Sequence, residues 1–349
     1  MSAPGHSHPL LALATAVPEH MALAAEAVRG LPGLPELAEV QNIVVFGMGA
    51  GRTAGALVRA LAGAVVPVPI LVESSYRAPA CVGARSLVFA ISGSGDTDEV
   101  NHAAAAAIAR GARLVVVTVG GWLAALAEDC NAPFVRIPAE IQPARAALGF
   151  IVAAQCAILE DIGLLPGARA WIEIAAAQLR RRRAELLQAD NPVSRLAPLL
   201  AGRPVLIQGD DAFGAVAAER WKAQLNQNAK QPAWFSEQPN ASHNEAVGWD
   251  CAIGRAPWTD AVVLLRHDFE DARVSRRIDQ LADYLAGKTA VHTVRGAGGC
   301  PLAAAMDLMM IGDVASLHVA GLNGVDPSAI AFISETLKDG LTPPGRWKG

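Results

Sequence analysis

Ser86-Leu87-Val88-Phe89-Ala90-Ile91-Ser92, followed at once by Gly93-Ser94-Gly95-Asp96-Thr97 and an alanine-rich stretch that ends near Gly111, decides the fold. The first seven residues are too short for a buried helix and carry no alternation. A continuous apolar run of that length belongs to a strand covered on both faces, as strands of parallel sheets are. The Ser/Gly cluster ends the run, and Thr97 to Arg110 has the length and composition of a helix.

Outward from this stretch the pattern recurs. Asn42 to Phe46 (NIVVF) precedes it and Leu114 to Val119 (LVVVTV) follows, with Val135 to Pro138 as a weaker strand and helical stretches at Gly55–Leu61 and Trp122–Glu128. The series then starts again with Pro204 to Gln208 (PVLIQ), Ala261 to Arg266 (AVVLLR) and Thr289 to Val294 (TAVHTV), separated and followed by helical stretches. Strands alternating with helices imply α/β architecture, a mainly parallel sheet flanked by helices, and the repetition implies two such domains in tandem. The boundaries read as an N-terminal helical segment at 1–38 packed on the first domain, a first domain at 39–165, linking helices at 166–195 with a break at Asn191-Pro192, a second domain at 196–340 and a tail at 341–349.

Composition excludes several classes. The 349 residues are 52% hydrophobic and 18% charged, which suits large cores and not bulk disorder. A net charge of −4 with the signs interspersed argues against a nucleic-acid partner. The one basic run, Arg180 to Arg183, reads as a solvated helix face. Cys81, Cys130, Cys156, Cys251 and Cys300 are odd in number and lack metal-ligand spacing, so neither disulfides nor zinc are expected, and free thiols suit a reducing cytoplasm. The scattered histidines point to no metal. Leu10 to Val17 lacks a preceding basic segment and Ala146 to Leu159 is too short to span a bilayer, so a soluble cytoplasmic protein is expected.

The loop after the second strand carries chemistry. Ser92, Ser94 and Thr97 supply hydroxyl donors, Gly93 and Gly95 allow close backbone approach, and the following helix N-terminus favours negative charge. The plainer reading is an ordinary turn with Asp96 or Thr97 as N-cap. The matching loop of the second domain, His267-Asp268-Phe269-Glu270-Asp271, is acidic, so an anion would choose the first. Gly47-Met48-Gly49-Ala50-Gly51 is a weak match to a dinucleotide fingerprint: the third glycine falls at Arg52, and no ribose-binding acid follows. No cofactor is expected.

These residues together resemble the bifunctional phosphoglucose/phosphomannose isomerases, which carry tandem sugar-isomerase (SIS) domains. Phe46-Gly47-Met48-Gly49 resembles the family's first loop, and Ser92-Gly93-Ser94-Gly95-Asp96-Thr97 its S-x-S-G-N-T phosphate loop. Gln142-Pro143-Ala144-Arg145-Ala146-Ala147-Leu148-Gly149 is similar to its P-R-A-A-L-G segment. Arg220-Trp221-Lys222-Ala223-Gln224-Leu225-Asn226, Asn228-Ala229-Lys230, His243-Asn244-Glu245, Val247-Gly248-Trp249, Gly312-Asp313, Asp326-Pro327 and Leu337-Lys338 extend the likeness. The resemblance implies two tandem SIS-type domains, each a flavodoxin-like three-layer sandwich. It implies isomerisation of glucose-6-phosphate or mannose-6-phosphate to fructose-6-phosphate by ring opening and an enediol. By position, His243 corresponds to the ring-opening histidine, contributed across a homodimer interface. Lys338 corresponds to its C-terminal lysine partner and Arg145 to the arginine near the enediolate. Ser92, Ser94 and Thr97, with Gly49 and Gly51, would hold the phosphate and sugar.

The likeness breaks where the chemistry matters most. The family's base is the glutamate of an N-E-N-A-K-like segment, which here reads Asn226-Gln227-Asn228-Ala229-Lys230. A glutamine amide cannot accept a proton at neutral pH, and loss of a general base costs on the order of 10²–10⁴-fold. Gly51 stands where the family usually has serine, and Pro239-Asn240-Ala241-Ser242-His243-Asn244-Glu245 has lost one carboxylate. Three readings follow: an isomerase using another base, with Glu237 and Glu245 as candidates although Glu245 has a counterpart in the family; a non-catalytic phosphosugar sensor or regulatory protein; or other chemistry on a phosphosugar or nucleotide sugar.

Overall fold

The computed structural model describes residues 8–249 and 261–330. Backbone packing sorts them into two compact units, Val17–Glu173 and residues 8–16 with Ile174–Ile330. The chain starts with α1 (Pro9–Thr15), whose buried Leu10, Leu11 and Ala14 pack on the long helix Pro301–Leu322. The expectation that residues 1–38 pack on the first domain therefore fails for α1. That long helix is apolar around its whole circumference and needs cover on every side, which α1 helps to provide.

The Val17–Glu173 unit continues with α2 (Val17–Ala27), β1 (Asn42–Gly47), α3 (Ala50–Ala62), β2 (Ile70–Glu73), β3 (Ser86–Ser92), α4 (Asp98–Ile108), β4 (Arg113–Thr118), α5 (Gly121–Asp129), β5 (Phe134–Arg136) and α6 (Leu148–Asp161). All strand pairs are parallel, in the order β2-β1-β3-β4-β5. Every residue of β3 is buried, as its unbroken apolar run demands. One sheet face joins α4 and α5 in a core that includes Val44, Phe46, Val88, Ala90, Ala103 and Leu123. The other face takes α3, α6 packs on α3, and α2 packs in turn on α6, where Gly149 leaves room for Val17.

The helix α7 (Ala168–Leu186) contains the division between the units, at Glu173 and Ile174. After it come α8 (Pro192–Leu200), β6 (Val205–Asp210), α9 (Phe213–Ala229), β7 (Ala233–Gln238), α10 (Glu245–Gly248), β8 (Ala261–Arg266), α11 (Ala272–Leu285), β9 (Ala290–Arg295) and α12 (Pro301–Leu322). The sheet is again parallel throughout, ordered β7-β6-β8-β9. By length and composition α12 could cross a membrane, but its apolar window lies wholly buried inside the unit.

Two ion pairs anchor α12. Arg220 on α9 donates to both oxygens of Asp313 at 2.9 and 2.8 Å, both side chains being buried. Beside this pair, Trp221 Nε1 donates to the Leu308 carbonyl at 2.8 Å, and a Cβ on Gly312 would sit 2.3 Å from the indole nitrogen. Asn228 donates to Ser316 Oγ at 2.9 Å. The Arg220-Trp221 and Gly312-Asp313 motifs are thus the packing of α9 on α12. Arg182 corrects the reading of residues 180–183 as a solvated face: its guanidinium donates to both oxygens of the fully buried Asp307, at 2.9 and 2.7 Å. A carboxylate inside an apolar helix must be paired, and α7 supplies the cation.

Replacing Asp313 by alanine leaves the Arg220 charge buried beside α12. The expected loss is about 3–5 kcal/mol of unfolding free energy, read from urea denaturation.

Candidate functional site

In the order β2-β1-β3-β4-β5 the chain turns to opposite sides after β1 and β3, so their loops diverge and leave a crevice over the C-terminal ends of the strands. After β1, Gly49 has φ +50° and caps α3 with its backbone alone, and a Cβ there would meet nothing within 4 Å. A side chain would be strained in that conformation, and its absence leaves backbone open to the crevice. Gly51, one residue into α3, is closely packed: a Cβ would lie 3.0 Å from Ile91 Cγ2.

After β3 the hydroxyls form a cluster. Ser92 Oγ accepts from Gly95 N at 2.9 Å and shares a hydrogen bond with Thr97 Oγ1 at 2.8 Å. Ser94 Oγ lies 3.4 Å from Ser92 Oγ and accepts from Asp96 N at 3.2 Å. Gly95 (φ +82°) approaches so closely that a Cβ would fall 1.7 Å from the Gly120 carbonyl oxygen, and a Cβ on Gly93 would fall 2.2 Å from Ala144 Cβ. The loop is therefore clamped between the β4–α5 turn and the 3₁₀ turn Ala144–Ala147, which carries the half-buried Arg145. The fold brings the Ser92, Ser94 and Thr97 hydroxyls, Gly49, Gly51 and the Arg145 turn to one end of this sheet.

Thr97 occupies the N-cap of α4 but makes no side-chain capping bond, because its hydroxyl turns to Ser92. Asp96 caps a different helix, accepting from Trp122 N in the first turn of α5 at 2.9 Å. The ordinary-cap reading holds for the position of Thr97 and fails for its side chain, which bonds Ser92 instead. The first amides of α4 lack the side-chain cap that would satisfy them, next to clustered hydroxyls, and that arrangement suits an anion.

The crevice of the second sheet, between the loops after β6 and β8, is filled from within. Asp210 and His267 are each 2% exposed. Asp210 Oδ1 accepts from Gly214 N at 2.7 Å, at the start of α9, so a carboxylate of the chain itself takes the place an anion would seek. His267 Nδ1 accepts from Phe269 N, its Nε2 lies 3.1 Å from Asp210 Oδ1, and its ring stacks on Phe213 at 3.9 Å. The carboxylates of the acidic loop are also engaged. Burial pushes Glu270 up, but hydrogen bonds from Arg266 and the His267 amide outweigh it and hold the carboxyl below its ordinary value. Asp271 caps α11 and Asp268 pairs with Arg295 at 3.1 Å.

The remaining candidates do not converge. Gln227 is half-buried near the end of α9, where Lys230 Nζ donates to its carbonyl at 2.6 Å and Lys230 itself ends the helix at φ +52°. Its neighbours fix its place: Asn226 Oδ1 accepts from Ala233 N at the start of β7, and Gln231 binds Gly202 and Leu200 just before β6. Gln227 thus lies at the N-terminal edge of the sheet. His243 lies beyond the C-terminal end of β7, exposed, with its Nε2 accepting from Arg277 at 3.0 Å. An arginine can only donate, so a neutral His243 carries its proton on Nδ1. The six residues of β7 put about 17 Å between the two ends. Lys338 lies outside the described residues. The sequence reading missed the buried pair Gln208 and Gln238, linked to Glu245; the signal was an amide at the end of the otherwise apolar PVLIQ run.

Replacing Thr97 by valine should weaken inorganic phosphate binding about tenfold or more in calorimetry, since a hydrogen bond to a charged group is worth about 1.5–3 kcal/mol. Asp210→Asn, in the filled crevice, should leave that affinity unchanged.

Residues 189–341 match the bacterial phospho-glucose isomerase C-terminal SIS domain. The chain is 31% identical over 331 residues to the bifunctional phosphoglucose/phosphomannose isomerase of Caldicellulosiruptor bescii, covering 93% of this chain and 96% of that one. It is 30% identical over 313 residues to the Aquifex aeolicus protein of the same name, covering 88% and 92%. The solved C-terminal domain of glucosamine-fructose-6-phosphate aminotransferase from Francisella tularensis shares the fold, with a TM-score of 0.70 at 16% identity over 94% of this chain and 100% of that one. With parallel sheets in both units, and with likeness running through both at this level of identity, the chain belongs to the bifunctional phosphoglucose/phosphomannose isomerase family.

Proposed function

We propose that this protein is an aldose–ketose isomerase that interconverts glucose-6-phosphate or mannose-6-phosphate with fructose-6-phosphate. The observation that carries this reading is the hydroxyl cluster of Ser92, Ser94 and Thr97 at the uncapped start of α4, in a chain of this family. The loop holds the phosphate and Gly49 leaves space for the sugar beside it. Arg145, on the turn packed against Gly93, stabilises the developing enediolate. His243 serves the sugar ring oxygen with its Nδ1–H, and Lys338 assists it.

Isomerisation needs the ring-opening group and the C1–C2 proton carrier at one sugar. The separation of His243 from the Gln227 position along β7 supports a homodimer in which each sugar meets the His243 of the partner subunit. We place this homodimer in the cytoplasm, with SIS-type domains near 39–165 and 196–340. Gln227 cannot carry the proton, so the proton acceptor lies elsewhere in the site.

A coupled assay of metal-free protein with glucose-6-phosphate, mannose-6-phosphate and fructose-6-phosphate, with thermal shift on the same ligands, tests the reading. Turnover is expected. Ligand-induced stabilisation without turnover would instead favour a non-catalytic phosphosugar sensor. Replacing Gln227 by glutamate restores a carboxylate at that position, and a gain in kcat is expected. Unchanged kcat with binding intact would show that this position lies away from the reacting carbons.

A further inference from the structure

The segment after β7 holds a polar chain that the family likeness does not explain. Ser242 Oγ donates to Gln238 Oε1 at 2.5 Å, and Gln238 Nε2 donates to Gln208 Oε1 at 3.2 Å. Gln208 Nε2 then donates both to Ser236 Oγ, at 2.8 Å, and to Glu245 Oε2, at 3.2 Å. Gln208 and Gln238 are 3% and 0% exposed. Two amides at the end of a buried sheet are costly unless all their groups are paired, and such a network holds one arrangement because any other leaves a buried group unsatisfied. The links run in one direction to Gln208 and fork there, one branch to Ser236 and the other to the single exposed member, the carboxylate of Glu245. Gln208 approaches one oxygen of that carboxylate, two residues from His243 in the same segment.

We propose, resting on the isomerase reading above, that Glu245, aimed by Gln208 and Gln238, is the proton acceptor that Gln227 cannot be, and that it acts with His243 at the sugar held by the partner subunit. Both groups follow the C-terminal end of β7, away from Gln227, so any interface that delivers one delivers the other. In the open-chain aldose the Glu245 carboxylate takes the C2 proton and becomes the neutral acid. The C2–H electron pair forms the C1–C2 double bond, and the carbonyl π pair moves to O1 under Arg145. The O2 hydroxyl then gives its proton to O1, the electron pair left on O2 forms the C2 ketone, the C1–C2 π pair takes the proton back from the acid at C1, and the carboxylate is regenerated. Glu237, on the exposed edge of β7, has no such support. Gln208 is a positioning residue: it touches Glu245 and not the sugar.

The test is kinetic and uses the full chain. Glu245→Gln should lower kcat by about 10²–10⁴-fold, and Glu237→Gln should stay close to the unaltered enzyme. Gln208→Met should lower kcat by about 10-fold to 100-fold with KM held, the worth of one hydrogen bond to a charged group. Because that change strands the Gln238 amide, the double variant Gln208→Met/Gln238→Met should show the same kinetic defect with the fold retained. Mixed dimers give the decisive readout. Glu245→Gln chains mixed with Arg145→Ala chains should regain turnover, because one site in each mixed dimer is intact. Glu245→Gln mixed with His243→Ala should stay inactive, because each partner spoils a different site.

Full activity of Glu245→Gln, a kcat loss confined to Glu237→Gln, or recovery in the His243 mixture would overturn the assignment while leaving the isomerase reading in place. An unaltered enzyme that turns over none of the three sugars would overturn that reading, and this assignment with it.

Discussion

Every strand pair in both sheets is parallel, and the rest of the structure follows from that constraint. A parallel strand cannot be reached by a tight turn, so the chain must travel back along the sheet in a helix before each new strand. All loops that leave strands then gather at one end, and all helix C-termini gather at the other. The two ends become chemically different. The Ser92, Ser94 and Thr97 hydroxyls and the His243 segment belong to strand-leaving loops. The Gln227 position, near the end of a returning helix, belongs to the opposite edge of its sheet. No local rearrangement moves a residue from one class to the other.

The same constraint gives each sheet a crevice, and what fills it decides its use. In the first, small residues bring backbone and hydroxyls together without a side chain to occupy the space. In the second, Asp210 already sits on the amide of Gly214, with His267 beside it and stacked on Phe213. A helix N-terminus satisfied by its own carboxylate has little left for a phosphate. The two units share an architecture and differ in whether this internal carboxylate is present.

Much of the likeness to the family lies in packing. Arg220, Trp221, Gly312 and Asp313 seat α9 on α12, and Lys230 closes α9 by bonding the Gln227 carbonyl. These residues hold the Gln227 position in place whatever side chain it carries. A glutamine can therefore stand there without disturbing the helix, and retention of the surrounding motif says nothing about retention of the base.

The sequence alone determined the parallel α/β class, the repetition of the strand–helix pattern, the hydroxyl-rich loop at Ser92–Thr97 and the glutamine at position 227, because continuous apolar runs, small-residue turns and a missing carboxylate are local features. It did not reveal β2 (ILVE) or β7 (AWFSEQ), which are short or half-polar edge strands with only one covered flank and so lack the apolar signal of their central neighbours. It read Arg182 as solvated because a basic run looks the same whether or not a buried carboxylate faces one of its members. Tertiary structure alone decided that Thr97 turns from its helix to Ser92, that Asp210 fills the second crevice, that Gln227 and His243 stand at opposite ends of β7, and that two buried glutamines are hydrogen-bonded in series to Glu245. Each of these depends on which residues, distant in the chain, the folded sheet places within hydrogen-bond reach, and a pattern along the chain carries no record of that.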